Sequence, residues 1–459
     1  MTTPRSTLAI AALLAAIACS APSDRVSSPL PSGAAPTGQA GSVSGGRWLT
    51  YHADDTRSGF TSGPSLADVQ QAWTSPELNG DIYAEPLVVD DTVLAVTESN
   101  SVFALDDSTG QIIWRANLGA PVDSSTLPCG NIAPTSGITA TPVVDPSTGL
   151  IYVVAFLAPG HHEIFALRAR TGDVVWHRPV DPPGMNPLTQ QLRSALTLAN
   201  DRVYVAFGGL FGDCGDYHGW VAGINADGNG ALLDYQVPTQ NAGGIWAPAG
   251  PAVDPTGNLY VTTGNSFSDT QFDFGDSVIK LSPKLEKLDF FAPEDWAELN
   301  AGDVDLGSVG PAVLPMNRVF QIGKGGVGYL LDGAHLGGIG GELSSHEVCS
   351  GSFGGTAHTL HSIYVPCTDG LVALTVAGDG RSYVQRWHSS AFDAGPPIVA
   401  GGLVWTVDLS SGALVGLEGG NGDEVARLAI GEVSHFSSPS SASGCLFVPT
   451  LRTITAFCR

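Results

Sequence analysis

Short apolar strands separated by glycine turns recur along the whole chain. A strand ending in a small residue and an apolar one occurs as VFALD at 102–106, IFALR at 164–168, WVAGI at 220–224 and VIKL at 278–281. It returns as GYLLD at 328–332, LVAL at 371–374, LVGL at 414–417 and ITAF at 454–457, eight copies roughly 40 to 62 residues apart. That period is the signature of propeller blades. A strand pair precedes most copies, as in PLVVD at 86–90 with VLAV at 93–96, and several are followed by Thr-Gly and an aromatic strand, as in TGQIIW at 109–114 and TGDVVW at 171–176. Each unit therefore supplies about four strands. The copy at 454–457 has no outer strand after it, whereas residues 69–73 offer a spare aromatic strand ahead of the first unit. The expectation is an all-β, eight-bladed β-propeller of four-stranded antiparallel blades, closed by an N-terminal strand that completes the last blade. Seven blades would follow if the copy at Val278 were an insertion.

Composition agrees. With 58 Gly, 31 Pro and only 14% charged residues, the chain suits short strands and tight turns better than helices. The net charge of −24 is spread along the sequence, which disfavours nucleic acid as a partner.

The first residues read as an export signal. Arg5 precedes a short apolar run over residues 8–17, and AIAC at 16–19 resembles a bacterial lipobox. The resulting division is a lipoprotein signal peptide over 1–18, lipidation of Cys19, a Ser/Pro/Gly tether over 19–46, and the propeller over 47–459. An ordinary signal-peptidase site is the alternative. The protein is then expected to be a monomer, extracytoplasmic in a bacterial cell envelope, with the lipid as its only membrane contact. Six cysteines remain. Cys445 and Cys458 flank a hairpin and would face each other across it; Cys349 and Cys367 enclose a strand-turn-strand; Cys129 and Cys214 are left as the third pair.

The pattern Ala104-x-Asp106-x-x-Thr109-Gly110-x-x-x-Trp114 resembles the repeat of the pyrroloquinoline quinone (PQQ) propellers. The opening WLTYHADDTRSG at 48–59 is similar to the segment that leads into them. The resemblance covers about residues 47–459. It implies the eight-bladed fold, and leaves open two activities: quinoprotein dehydrogenases, and non-catalytic assembly-factor lipoproteins.

In the dehydrogenases a quinone lies at the axis, against a tryptophan and a calcium ion. Hard oxygen ligands hold the ion, and an aspartate accepts the alcohol proton. The resemblance assigns Trp246 and Lys324 to the cofactor, Asp213 and Asn265 to the metal, and Asp305 with Asp303 to catalysis. These residues follow the family's order along the chain. There are departures too. The family's paired cysteines followed by a carboxylate-binding arginine are reduced to a single Cys129 with no arginine after it, and no Cys-x-x-Cys-His binds a haem. The two readings carried forward are a PQQ- and calcium-dependent oxidoreductase acting on a small alcohol, and a propeller scaffold binding an envelope protein or glycan.

Overall fold

The computed structural model describes residues 46–459. The signal peptide, Cys19 and nearly all of the tether lie outside the described residues. The remainder forms eight small antiparallel sheets in a ring, and each of the eight copies supplies the third strand of one sheet. Blade 1 is Leu87–Val89, Thr92–Thr97, Ser101–Asp106 and Ile112–Asn117, in that order outward from the axis. The Val278–Leu281 copy is a true blade, so the count is eight. Inner strands are buried almost throughout, while outer strands such as Ile112–Asn117 alternate in exposure, as expected for the rim of a packed ring.

One contact joins blades repeatedly. The Trp114 ring of blade 1 covers Gly172 in the Thr-Gly turn of blade 2, where an added Cβ would come within 2.5 Å of the ring. Gly172 also has φ +73°, so the turn needs glycine both for its backbone and for the approach. Trp176 covers Gly228 and Trp387 covers Gly422 in the same way.

Ring closure uses the same device. Gln70–Thr74 pairs antiparallel with Ile454–Cys458, completing blade 8, and Trp73 covers Gly110 of blade 1 with its Nε1 donating to the Asp107 carbonyl at 2.8 Å. The strand that completes the ring thus behaves as the outer strands of blades 1, 2 and 6 do. All three expected disulfides are present: Cys129–Cys214, Cys349–Cys367 and Cys445–Cys458.

Residues 47–61 form a plug, a feature the sequence did not announce. Main-chain hydrogen bonds tie Trp48 to Val88, Leu49 to Val144, Asp55 to Val253, Thr56 to Val313, Ser58 to His358 and Gly59 to Val399. These are inner-strand residues of blades 1, 2, 4, 5, 6 and 7. Blade 3 is reached by Arg57, which donates to Thr197 Oγ1 at 2.6 Å as well as to Thr50, Tyr51, Leu196 and Pro251.

A proton count fixes the state of the plug's acid. His52 Nδ1 lies 3.0 Å from the Thr356 carbonyl and so carries hydrogen. Burial pushes the imidazole down to about 3 and so keeps the ring neutral; its Nε2, 3.3 Å from Ser438 Oγ, then has only a lone pair to offer, and the hydroxyl donates to it. Ser438 Oγ is therefore left to accept from Glu85 Oε2, 2.6 Å away, which requires a protonated carboxyl. The other Glu85 oxygen accepts from Trp48 Nε1 and His52 N–H. Burial pushes Glu85 up to about 7 and His52 down to about 3, consistent with a neutral pair.

Candidate functional site

Loops entering the inner strands of blades 3, 4, 5, 6 and 8 surround a cavity of about 320 Å³ on the propeller axis. Tyr51 of the plug packs against Ala195 and Ala249, close along the chain to the cavity residues Arg193 and Trp246, so the plug lies beneath it.

Five of the six residues singled out by sequence line this cavity: Asp213, Trp246, Asp303, Asp305 and Lys324. They come from blades 3, 4 and 5. Trp246 enters where Gly208 leaves room, since a Cβ there would lie 2.5 Å from the tryptophan Cβ. Asp303 ends the short helix Trp296–Gly302 in a left-handed conformation, which turns the chain back toward the axis. Lys324 follows the blade 5 strand Arg318–Gln321, and its Nζ reaches Asp305 Oδ2 at 2.5 Å and Asp303 Oδ1 at 2.9 Å. The ammonium also stands 5.9 Å from the Trp246 ring centre.

Asp305 is nearly fully buried, and its other oxygen accepts from Asn265 N–H at 2.6 Å. Burial pushes the Asp305 carboxyl up, against the pull of Lys324. Burial also works against the Lys324 charge, but Asp305 and Asp303 outweigh it and hold the ammonium above its ordinary range. Asn265 is not on the cavity wall. Its main chain supports Asp305, and its carbonyl accepts from Gly243 N–H at 2.8 Å. Asp213, with φ +50°, accepts from Tyr217 O–H at 2.5 Å, and neighbouring Cys214 clasps the loop to Cys129.

Sequence reasoning missed the rest of the wall. Phe353, Phe436 and Trp246 form an aromatic triangle with ring centres 5.9 to 6.5 Å apart, joined by Tyr217, His435 and Arg193. Apart from Trp246 none was singled out by sequence, and only the fold brings them together.

The wall suits a quinone: the Trp246 face offers a flat apolar surface and Lys324 a cation at its edge. It does not fit a calcium centre. Calcium takes six to eight oxygens, yet both Asp305 oxygens and one Asp213 oxygen are engaged. Among the described residues, the one place where three carboxylate, histidine or cysteine ligand atoms lie within 4.8 Å of one another is Cys349, Cys367 and Asp369, two of which are joined in a disulfide.

Comparison with known proteins agrees with the fold. Residues 65–270 match the family model described as outer membrane protein assembly factor BamB. A curated assembly factor BamB from Burkholderia pseudomallei (strain K96243) is 25% identical over 164 residues, 31% of this chain. That match spans 41% of the relative's length. Quinohemoprotein alcohol dehydrogenase ADHIIG from Pseudomonas putida HK5 superposes with a TM-score of 0.72 at 15% identity, over 90% of this chain and 80% of its own. BamB from Moraxella catarrhalis gives 0.59 at 16% identity, over 85% and 100%. The chain thus has the eight-bladed architecture of the PQQ-type propellers, shared by dehydrogenases and assembly factors alike.

Proposed function

We propose that this PQQ-type propeller is an extracytoplasmic oxidoreductase whose axial cavity holds a planar quinone of the pyrroloquinoline class and oxidises a small alcohol. One observation carries the reading: residues from three blades, chosen by their order in the sequence, meet around a single cavity with a buried ion pair at its wall. A platform for another protein has no need of a buried carboxylate and ammonium on its axis, whereas perturbed charges in a cleft mark chemistry.

When bound, the quinone supplies a two-electron acceptor. Trp246 gives it a flat wall. Lys324, held by Asp303 and Asp305, presents a fixed positive charge to ligand oxygens without the cost of reorganising at the moment of reaction. Asp305 accepts the substrate proton: burial raises its basicity, and Asn265 N–H fixes its orientation. Phe353 and Phe436 exclude water above it. No step is assigned to calcium.

Three disulfides support an oxidising compartment. Lipidation of Cys19 belongs to the same proposal. Detergent-phase partition of the full chain, lost in C19S, tests it; equal partition of both removes the anchor.

The experiment for the site is titration of the purified protein with PQQ, with calcium and with chelator, reading quinone absorbance and thermal unfolding. Saturable binding and a raised Tm are expected in both conditions. No saturable change at micromolar quinone rejects the cofactor. The second reading, a scaffold for an envelope protein, is favoured by the BamB description of the matched family, and would then stand.

A further inference from the structure

We infer that Arg193 is an anion-binding residue that gives the axial cavity a second pole, suited to a carboxylate carried on a flat aromatic ligand. The inference deepens the cofactor reading and rests on it for the ligand's identity, though not for the existence of the site.

The backbone on either side of Arg193 is fixed. Gln190 and Gln191 pair with Gly209 and Gly208, and Ser194 Oγ donates to the carbonyls of Ile245 and Ala247, which flank Trp246. The guanidinium itself is left free. Among the described residues it makes no hydrogen bond and has no carboxylate within 4.0 Å, yet it lines the cavity. A guanidinium whose N–H donors have no partner among the described residues thus lines the cavity, and its planar fork is the arrangement that carboxylates match two bonds at a time.

Its neighbours shape what the fork can take. The guanidinium lies over the Phe436 ring, 5.3 Å from its centre. Phe436 has φ +62°, an outlier for a bulky side chain, and is held there between Phe353 and Trp246. A flat ligand against Trp246 would therefore present an edge to the arginine. Burial lowers the Arg193 pKa, with Tyr83 and Glu98 opposing, so charge from a ligand would be welcome. Glu98 does not bond to the arginine; one of its oxygens accepts from Gly137 N–H and the other has no partner. Lys324 differs in being already paired with Asp303 and Asp305, so it meets ligand oxygens as part of an ion pair, whereas Arg193 offers an uncompensated charge.

Isothermal titration of the full chain and R193M tests this with three probes: trimesate, which is flat and tricarboxylic but redox-inert; PQQ; and PQQ trimethyl ester. Wild type is expected to bind trimesate saturably, and R193M to bind trimesate and PQQ about ten- to a hundredfold more weakly, the scale of lost charge-assisted hydrogen bonds. The trimethyl ester, lacking the anionic groups, should bind both proteins alike. R193Q replaces R193M if the latter does not fold, and must show the same loss. Equal trimesate affinity in wild type and variant, or none in wild type, overturns the inference. The two claims fail separately. Trimesate binding that depends on Arg193 without any PQQ binding rejects the cofactor and keeps the anion site; PQQ binding indifferent to Arg193 does the reverse.

Discussion

Two sequestered arginines in this molecule stand in opposite conditions. Arg57, in the plug, is 1% exposed and donates to five acceptors, all of them neutral hydroxyls or carbonyls. Arg193, in the cavity wall, donates to none among the described residues. A cation whose two terminal nitrogens are both engaged by the protein, with only Nε left over, has been recruited to hold chain segments together. A cation left with open donors at the edge of a cavity has been kept for something that arrives from outside. Desolvating either is expensive, and the difference lies in where the compensation comes from.

The comparison can be broken by substitution. R57M removes the donor from five acceptors, of which the Pro251 carbonyl keeps Thr197 Oγ1, and releases the plug from blade 3; the expected loss is about 3 to 5 kcal/mol of unfolding free energy, read by urea denaturation. A loss below 1 kcal/mol would mean the plug is not held as described. K324M leaves Asp305 as a buried carboxylate without its partner and is expected to cost about 2 to 3 kcal/mol. The K324M/D305N pair should recover most of this, and additive losses in the double-mutant cycle would deny the coupling.

The plug's acid gives a pH signature. Glu85 rises from 4.5 to about 7 on folding, so its contribution is full below pH 4.5 and is lost as pH rises through 7. His52 falls from 6.5 to about 3, so its contribution is full above pH 6.5 and is lost as pH falls toward 3. Between pH 5 and 7 the two slopes oppose each other. E85Q removes one of them, and its stability relative to wild type should improve by about 2 kcal/mol from pH 5 to pH 7. A constant difference across that range would show that Glu85 is ionised in the folded protein. The smallest effect belongs to R193M, whose unliganded stability is expected to stay within about 0.5 kcal/mol of wild type. A drop of 2 kcal/mol would place Arg193 with Arg57 as a structural residue.

What could be read in advance follows from how far each feature reaches along the chain. The blade count, the closing strand and the three disulfides were legible, because each shows itself in local period or in the strands next to a cysteine. The site was legible only in part. Trp246, Lys324, Asp303, Asp305 and Asp213 carry recognisable sequence surroundings and do meet at one cavity, but Asn265 turned out to act through its main chain behind Asp305. The plug was illegible because residues 47–61 have no period; each one answers to a different blade. Arg193 was illegible for the same reason: its partner Phe436 lies 243 residues away in sequence, beyond any spacing rule.

The pairing of Gln70–Thr74 with Ile454–Cys458 also sets an order of events as the chain is made. The plug and the closing strand emerge before any blade exists to receive them, and Trp73 can cover Gly110 long before its own sheet can form. Until residues 445–458 have been made, blade 8 lacks its third strand, and the outer strand waiting for it presents an unpaired edge. Chains stalled short of that hairpin would therefore be the form most exposed to proteases and to pairing with one another.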